Sequence, residues 1–456
     1  MSAGDDVRAL LQLAASLGAD FRESLPERRV PARATAEELR AAFGGPLPEA
    51  PTDAADVTRA LAAAAEPGLV ATAGGRYFGF VIGGTVPAAL AAEVLTAAWD
   101  QNAGLYVASP AASVAEEVAG AWLLELLGLP RHASFGFVTS GQMANFTALA
   151  AARHHVLQAA GWDVERDGLH GAPRIRVVVG AKRHGTIDRS LRMLGMGAPT
   201  EVVPADGNGR IIPGELRLTD EPTIVCAQAG EVGTGAFDDF HAVADARDSA
   251  ANAWLHVDGA FGLWAAVSPR LQPLVAGVER ADSWATDMHK WLNVPYDCGV
   301  AFTAHPESHS GAFSARAPYL VFGATTREEL DWNPEHSRRA RGFPVYAAIR
   351  SLGRSGIREL VERCCDHARA FADGLQGLGA ELLNDVELNQ VLFRFRSDEE
   401  TERVLLAVQE SGEAWMGGTT WDERTAIRIS VSSRETTESD VERTLAAFAA
   451  ALTGSA

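Results

Sequence analysis

Lys290 stands in the stretch Ala281–Gly299, ADSWATDMHKWLNVPYDCG, with His289 and Trp291 beside it and Trp284 and Tyr296 close by. Burying an ammonium among apolar groups is costly. Such a lysine either snorkels its charge to water, is paired, or does chemistry. Desolvated, it becomes an amine nucleophile able to condense with a carbonyl. Asp258 closes the apolar run of HVDGAFG, thirty-two residues earlier, which is roughly one strand–helix–strand unit. That spacing puts Asp258 and Lys290 at the carboxyl ends of neighbouring strands, facing one pocket. Alone, Asp258 reads equally well as a helix N-cap. Thr139-Ser140-Gly141 runs out of a strand into a helix, where free backbone N–H groups and the positive end of the dipole favour an anion such as phosphate. By itself it is also a plain serine cap. His184, in AKRHGTIDRS, follows another strand and becomes a pocket residue if that strand ends at the same edge.

The elements that must position these residues alternate. Candidate strands are 134–139, 175–179, 223–227, 254–257, 283–286 and 299–303, with helical segments such as 143–160 and 240–251 between them. Apolar strands alternating with helices imply an α/β fold with a mainly parallel sheet covered on both faces. Residues 1–73 read as helices with proline-rich breaks, too thin to hold a core alone, and so expected to pack on another surface such as a second subunit. Residues 74–345 form the large α/β domain. Residues 346–456 read as a small α+β domain: a long helix, then a strand at 390–396, a helix at 399–411, a strand at 426–432 and a final helix at 437–452.

The 456 residues are 47% hydrophobic and 22% charged, enough to bury a sizeable core in two or three domains. The net charge of −19 disfavours nucleic acid and anionic membranes as partners. Cys226, Cys298, Cys364 and Cys365 have neither a disulfide framework nor zinc-ligand spacing, so no metal is expected and a reducing compartment is. The N-terminus has no basic region followed by an apolar one, and alanine-rich stretches are interrupted by charges before reaching membrane-spanning length. A cytoplasmic protein is expected.

Taken together, RYFGFVIGG, ASPAASVAEE, TSGQMANFTALAAAR, RHGTIDRSLRMLG, AGEVGTGAFDDF, WLHVDGAFG, DSWATDMHKWL and RISVSSRETT cover nearly the whole chain. This set resembles the pyridoxal-phosphate-dependent group II amino acid decarboxylases, the relatives of the aromatic amino acid and glutamate decarboxylases with the aspartate aminotransferase fold (fold type I). HVDGAFG followed by HKWL is the specific part. The resemblance implies pyridoxal 5'-phosphate as cofactor, a seven-stranded type of sheet in the large domain, and a homodimer with shared active sites. Lys290 matches the lysine that holds the cofactor aldehyde, and Asp258 the carboxylate paired with its pyridine nitrogen. His184 matches the histidine stacked on one ring face, and Ala260 the small residue under the other. Ser140 and Gly141 match the phosphate turn, with His289 as a further contact on that side and Asp287 helping to hold the region. Tyr319 aligns with a mobile-loop tyrosine that protonates the substrate carbon, and Phe78 and Phe80 fall where relatives line the side-chain pocket.

The implied reaction is decarboxylation of an L-amino acid, aromatic or apolar, to the amine and CO2. Oxidative decarboxylation–deamination to an aldehyde, transamination or aldol cleavage are the alternatives on the same cofactor, and a non-catalytic cofactor-binding protein is the alternative of another class. There are two departures, the first bearing on substrate and outcome and the second minor. Gln228 replaces a threonine near the cofactor hydroxyl or the substrate carboxylate, and Met288 replaces a common proline or alanine. Arg428 resembles the carboxylate-binding arginine of aminotransferases only in coming late in the chain.

Overall fold

The computed structural model describes residues 6–454 apart from Tyr319, Val321, Ala324 and Thr325. Runs such as RVVVG and TIVCAQ combine β-branched residues with burial on both faces, which is the signature of an interior parallel strand. Seven strands form the main sheet: β1 (Ser134–Val138), β2 (Arg176–Gly180), β3 (Glu201–Val203), β4 (Thr223–Gln228), β5 (Ala253–Asp258), β6 (Ser283–Asp287) and β7 (Gly299–Thr303). Their order is β1-β7-β6-β5-β4-β2-β3. β7 runs antiparallel to both neighbours, and the remaining pairs are parallel. Register sets Gln228 opposite Asp258, Asp258 opposite Ala285, and His256 opposite Ser283.

The chain enters through α1 (Val7–Ser24), α2 (Ala36–Phe43) and α3 (Ala54–Ala65), none of which has a buried residue in this chain. α4 (Pro87–Trp99) and α5 (Pro110–Leu126) follow. α6 (Gly141–Ala159) leaves β1 and lies across the sheet; its buried face of Gly141, Ala144, Ala148 and Ala152 is small enough for close approach to β5, β6 and β7. The short α7 (Val164–Asp167), α8 (Gly185–Met193), α9 (Phe240–Asp248) and α10 (Pro306–Phe313) complete the large unit. The expected helical crossover between β5 and β6 is instead three 3-10 turns, at Gly262–Val267, Gln272–Val275 and Val278–Arg280. Prolines at 269 and 273 and Gly277, at φ 86°, break a continuous helix there.

α11 (Gly342–Gly377) packs on α4 and α5 and also reaches the C-terminal unit, with a break at Gly353, whose φ of 61° leaves the helical region. That unit has β8 (Glu381–Leu382), β9 (Gln390–Arg394), α12 (Asp398–Ser411), β10 (Gly417–Trp421), β11 (Arg424–Ser430) and α13 (Glu438–Thr453), its sheet ordered β10-β11-β9-β8. One apolar core runs from Trp264, Trp284 and Trp291 under the main sheet to Phe371, Phe393 and Phe448 of this unit. A second, around Leu149, Val179, Cys226 and Trp254, lies on the α6 side.

Candidate functional site

A cavity opens at the carboxyl ends of the parallel strands, between β5, β6, the start of α6 and the segment leading into α8. Its wall includes Gly141, His184, Gln228, Asp258, Ala260, Asp287 and Lys290, seven of the residues singled out in the sequence, together with Asn145, Thr186 and Phe261.

Lys290 lies three residues past β6 with its side chain 21% exposed, and its Nζ sits 2.9 Å from Asp287 Oδ2. It neither snorkels to solvent nor rests on the tryptophans, since Trp284 and Trp291 turn into the core on the other side. Asp287, 2% exposed, is the hub of this corner. It accepts the Gly141 N–H and pairs with Lys290, and its Oδ1 lies 3.4 Å from His289 Nε2. His289 Nδ1 accepts the Cys298 N–H at 3.1 Å and the ring stacks on Tyr296, which places His289 behind Asp287 rather than on the cavity wall. Burial lowers the His289 pKa, with Asp287 working against that shift.

Asp258 ends β5 with Oδ2 accepting from Asn145 Nδ2 at 2.9 Å and Oδ1 from the Ala260 N–H at 3.2 Å. It does not cap a helix. His184 is itself the cap of α8, its Nδ1 accepting the Thr186 N–H. Its ring is open to the cavity mouth, yet enough protein surrounds it that desolvation lowers its pKa, with Asp258 opposing. Ser140 precedes α6 without making a side-chain cap, and among the described residues the N–H groups of Gln142 and Met143 have no partner. A helix start with free amides and a free hydroxyl is an anion seat. On the opposite wall Gln228 Nε2 is buried and has no hydrogen-bond partner among the described residues.

Two expected substrate contacts fall elsewhere. Phe78 is fully buried in the core, edge-on to Phe371 at 5.0 Å, because its backbone is tied to Trp415 and Ser430 of the C-terminal unit. Phe80, at φ 53°, is 60% exposed and stacks on Trp415. Neither lines the cavity of this chain. Tyr319 lies outside the described residues. Arg428, by contrast, stands near the rim: its Nη1 donates to the carbonyl of the cavity residue Val232 at 2.6 Å, and burial lowers its pKa, with Glu231 opposing.

Comparison with known proteins decides the class. A model of the pyridoxal-dependent decarboxylase conserved domain matches residues 37–396. The chain belongs to the pyridoxal-dependent decarboxylase family. Tryptophan decarboxylase 1 of Oryza sativa subsp. japonica is 27% identical, over 94% of this chain and 90% of that one. An L-2,4-diaminobutyrate decarboxylase of Rhizobium meliloti (strain 1021) is 30% identical, over 79% of this chain and 74% of its own. The crystal structure of Oryza sativa TDC with PLP and tryptamine superposes with a TM-score of 0.91 at 24% identity, covering 99% of this chain and 98% of that one.

This decarboxylase is pyridoxal-phosphate-dependent, and the cavity chemistry suits that group. A primary amine, a carboxylate, a helix start with unpaired amides and an orphaned amide donor surround one space, where an anionic, carbonyl-bearing pyridine would meet each complement. Sequence reasoning missed Asn145 and Thr186, and also His256 and Ser283 behind the wall, and it named Arg428 only for its late position in the chain. A signal for His256 was present: Trp254, His256 and Asp258 alternate along β5, so all three share one face.

Proposed function

We propose that this chain decarboxylates an L-amino acid to its amine and CO2, with Lys290, Asp258, His184 and Tyr319 carrying the chemistry. The observation behind the reading is the convergence of Lys290 Nζ, the Asp258 carboxylate and His184 on one cavity at the strand ends. Pyridoxal phosphate, when bound, supplies an aldehyde that exchanges between amines and a ring that accepts the electron pair released as CO2 leaves. Lys290 would supply the amine that holds that aldehyde. Asp258 keeps a proton at the ring nitrogen, where negative charge would otherwise collect. His184 covers one ring face, and the small Ala260 leaves room at the other. Ser140, Gly141 and the first turn of α6 receive the phosphate, with Asp287 and His289 bracing that corner. Gln228 Nε2 donates to the ring hydroxyl or to the substrate carboxylate. Tyr319 delivers the proton to Cα, a role that rests on the sequence resemblance.

An aromatic or apolar substrate is favoured by Phe261 in the wall and by the likeness to a tryptophan decarboxylase. A homodimer is favoured by exposed apolar residues at helical spacing on α1, α3 and α4. Four free, buried cysteines agree with a cytoplasmic setting. We keep 1–73, 74–345 and 346–456 as the division into arm, large and small domains.

Incubating the cofactor-loaded enzyme with a panel of L-amino acids, and measuring CO2, amine, aldehyde, ammonia and peroxide, tests the reading. Stoichiometric amine and CO2 are expected from at least one aromatic or apolar substrate. Tyr319→Phe should divert turnover toward aldehyde with oxygen uptake. No CO2 from any member of the panel would sink the assignment.

A further inference from the structure

Behind the cavity, four side chains with no solvent exposure link Asp258 to the start of β5 on the same face of the sheet: Asn145, His256, Ser283 and Trp254. The links are Trp254 Nε1 to Ser283 Oγ at 2.8 Å, Ser283 Oγ to His256 Nδ1 at 2.9 Å, His256 Nε2 to Asn145 Oδ1 at 2.9 Å, and Asn145 Nδ2 to Asp258 Oδ2 at 2.9 Å. Backbone geometry builds the line. Trp254, His256 and Asp258 share a face of β5. Ser283 is the register neighbour of His256 on β6, and α6 lowers Asn145 onto that face.

The direction of every bond follows from the two ends. An ionised carboxylate only accepts, so the Asn145 amide must present its nitrogen to Asp258 and its oxygen to His256. His256 Nε2 therefore carries the proton, and in the neutral ring Nδ1 is bare and accepts from the Ser283 hydroxyl. Indole N–H only donates, so Trp254 supplies the hydroxyl oxygen with its donor. All four bonds point the same way, and hydrogen bonds in such a chain polarise one another. A branch leaves at Asn145, whose second N–H reaches Thr186 Oγ1 at 3.3 Å, and the Thr186 hydroxyl lies 2.8 Å from His184 Nδ1.

We propose that Trp254, Ser283, His256 and Asn145 form a one-way hydrogen-bond relay that orients Asp258, with Asn145 as the positioning residue that also aligns His184 through Thr186. This rests on the assignment of Asp258 to the cofactor's ring nitrogen. A purely structural network would lower stability and leave cofactor binding alone. A relay acts on the cofactor even when the fold is intact.

The test uses apoenzyme reloaded with pyridoxal phosphate, reading its dissociation constant, the visible absorption band and the pH midpoint of that band, alongside the melting temperature. Asn145→Ala and His256→Phe should weaken cofactor binding about tenfold or more, the scale of one lost hydrogen bond to a charged group, and should shift the band midpoint. Ser283→Ala should act the same way more weakly, and His256→Gln, which keeps a donor toward Asn145, should recover part of the loss. If His256→Phe does not fold, Ser283→Ala and Trp254→Phe decide the matter. Wild-type affinity and band in the folded relay variants, with Asp258→Asn impaired, would overturn the relay. Wild-type affinity in Asp258→Asn as well would show instead that the assignment of Asp258 is wrong.

Discussion

At the scale of single residues, Asp287 has the most to lose. Its buried carboxylate holds the Gly141 amide, the Lys290 ammonium and the neighbourhood of His289 at once. Asp287→Ala removes all three and leaves a partly buried ammonium alone. Breaking a fully buried ion pair costs about 3–5 kcal/mol; with Lys290 one-fifth exposed, a loss of about 2 kcal/mol is expected. Asp287→Asn retains an oxygen for the Gly141 N–H and should recover part of it. Urea titration of the three proteins checks this, and an unchanged midpoint for the alanine variant would remove Asp287 from the hub. Asp287 was legible only as a brace near a phosphate, because its ion pair with Lys290 depends on the chain turning back within three residues of β6. Lys290, Asp258 and the Ser140–Gly141 turn were each ambiguous singly and informative as a set, because they follow the carboxyl ends of β6, β5 and β1 on one side of the sheet. His256 escaped notice since a strand read for its apolar residues, Leu255 and Val257, hides the polar residues on its other face, and Asn145 since it is one polar residue on the alanine-rich buried face of α6. Phe78 misled for a related reason: an aromatic residue carries no mark of the face it will bury.

At the scale of elements, the strands that end at the cavity were readable because burial on both faces leaves them apolar. β3, β8 and β10 were not, being short or exposed: Val202 is 50% accessible, and β10 is rich in glycine and threonine. What joins the elements is partly ionic. Arg338 and Glu116, both with fully buried side chains, are paired at 2.9 Å. The guanidinium also holds the carbonyls of Ala103 and Phe137, tying α5 to the end of β1. Burial raises the Glu116 pKa while Arg338 opposes the rise. Arg338→Met strands that carboxylate and frees two carbonyls, so a loss of about 3–5 kcal/mol is expected, seen as a lower melting temperature.

α10 carries a pH-dependent contribution of its own. His309 bridges Ser134 Oγ and the Trp332 carbonyl, and its burial, with Arg327 nearby, takes its pKa from 6.5 to about 3. The folded state therefore refuses a proton that the unfolded chain accepts. Stability from this group is complete above pH 6.5 and falls on acidification toward pH 3. Asp238, raised by burial to about 6, works in the opposite sense, so the whole-protein curve mixes the two. The difference between wild type and His309→Gln isolates the histidine. The wild-type advantage should shrink by about 2 kcal/mol between pH 7 and pH 5, measured by urea melts at both. A constant difference would refute it.

At the scale of the whole molecule, what stands out is surface that a lone chain leaves uncovered. Val7 and Leu11 on α1, Val57 and Leu61 on α3, and Leu90, Val94 and Trp99 on α4 recur at intervals of three to five residues and are between 37% and 64% exposed. Scattered apolar residues need no explanation, but stripes on three helices do. α1, α2 and α3 bury no residue in this chain beyond packing on one another, and a partner surface would cover their exposed stripes. A second copy is the economical partner, because one stripe then covers its own counterpart. Sedimentation at micromolar concentration should return twice the 48.3 kDa chain mass. A charge inside a fully desolvated interface is expensive, so Val94→Asp combined with Leu61→Asp should shift the protein to the monomer while leaving the melting of the main sheet intact. If the stripes instead pack within the chain, that pair would lower the melting temperature without changing the mass. A wild type that sediments as a monomer would end the dimer reading, and with it the expectation that the active sites are shared between subunits.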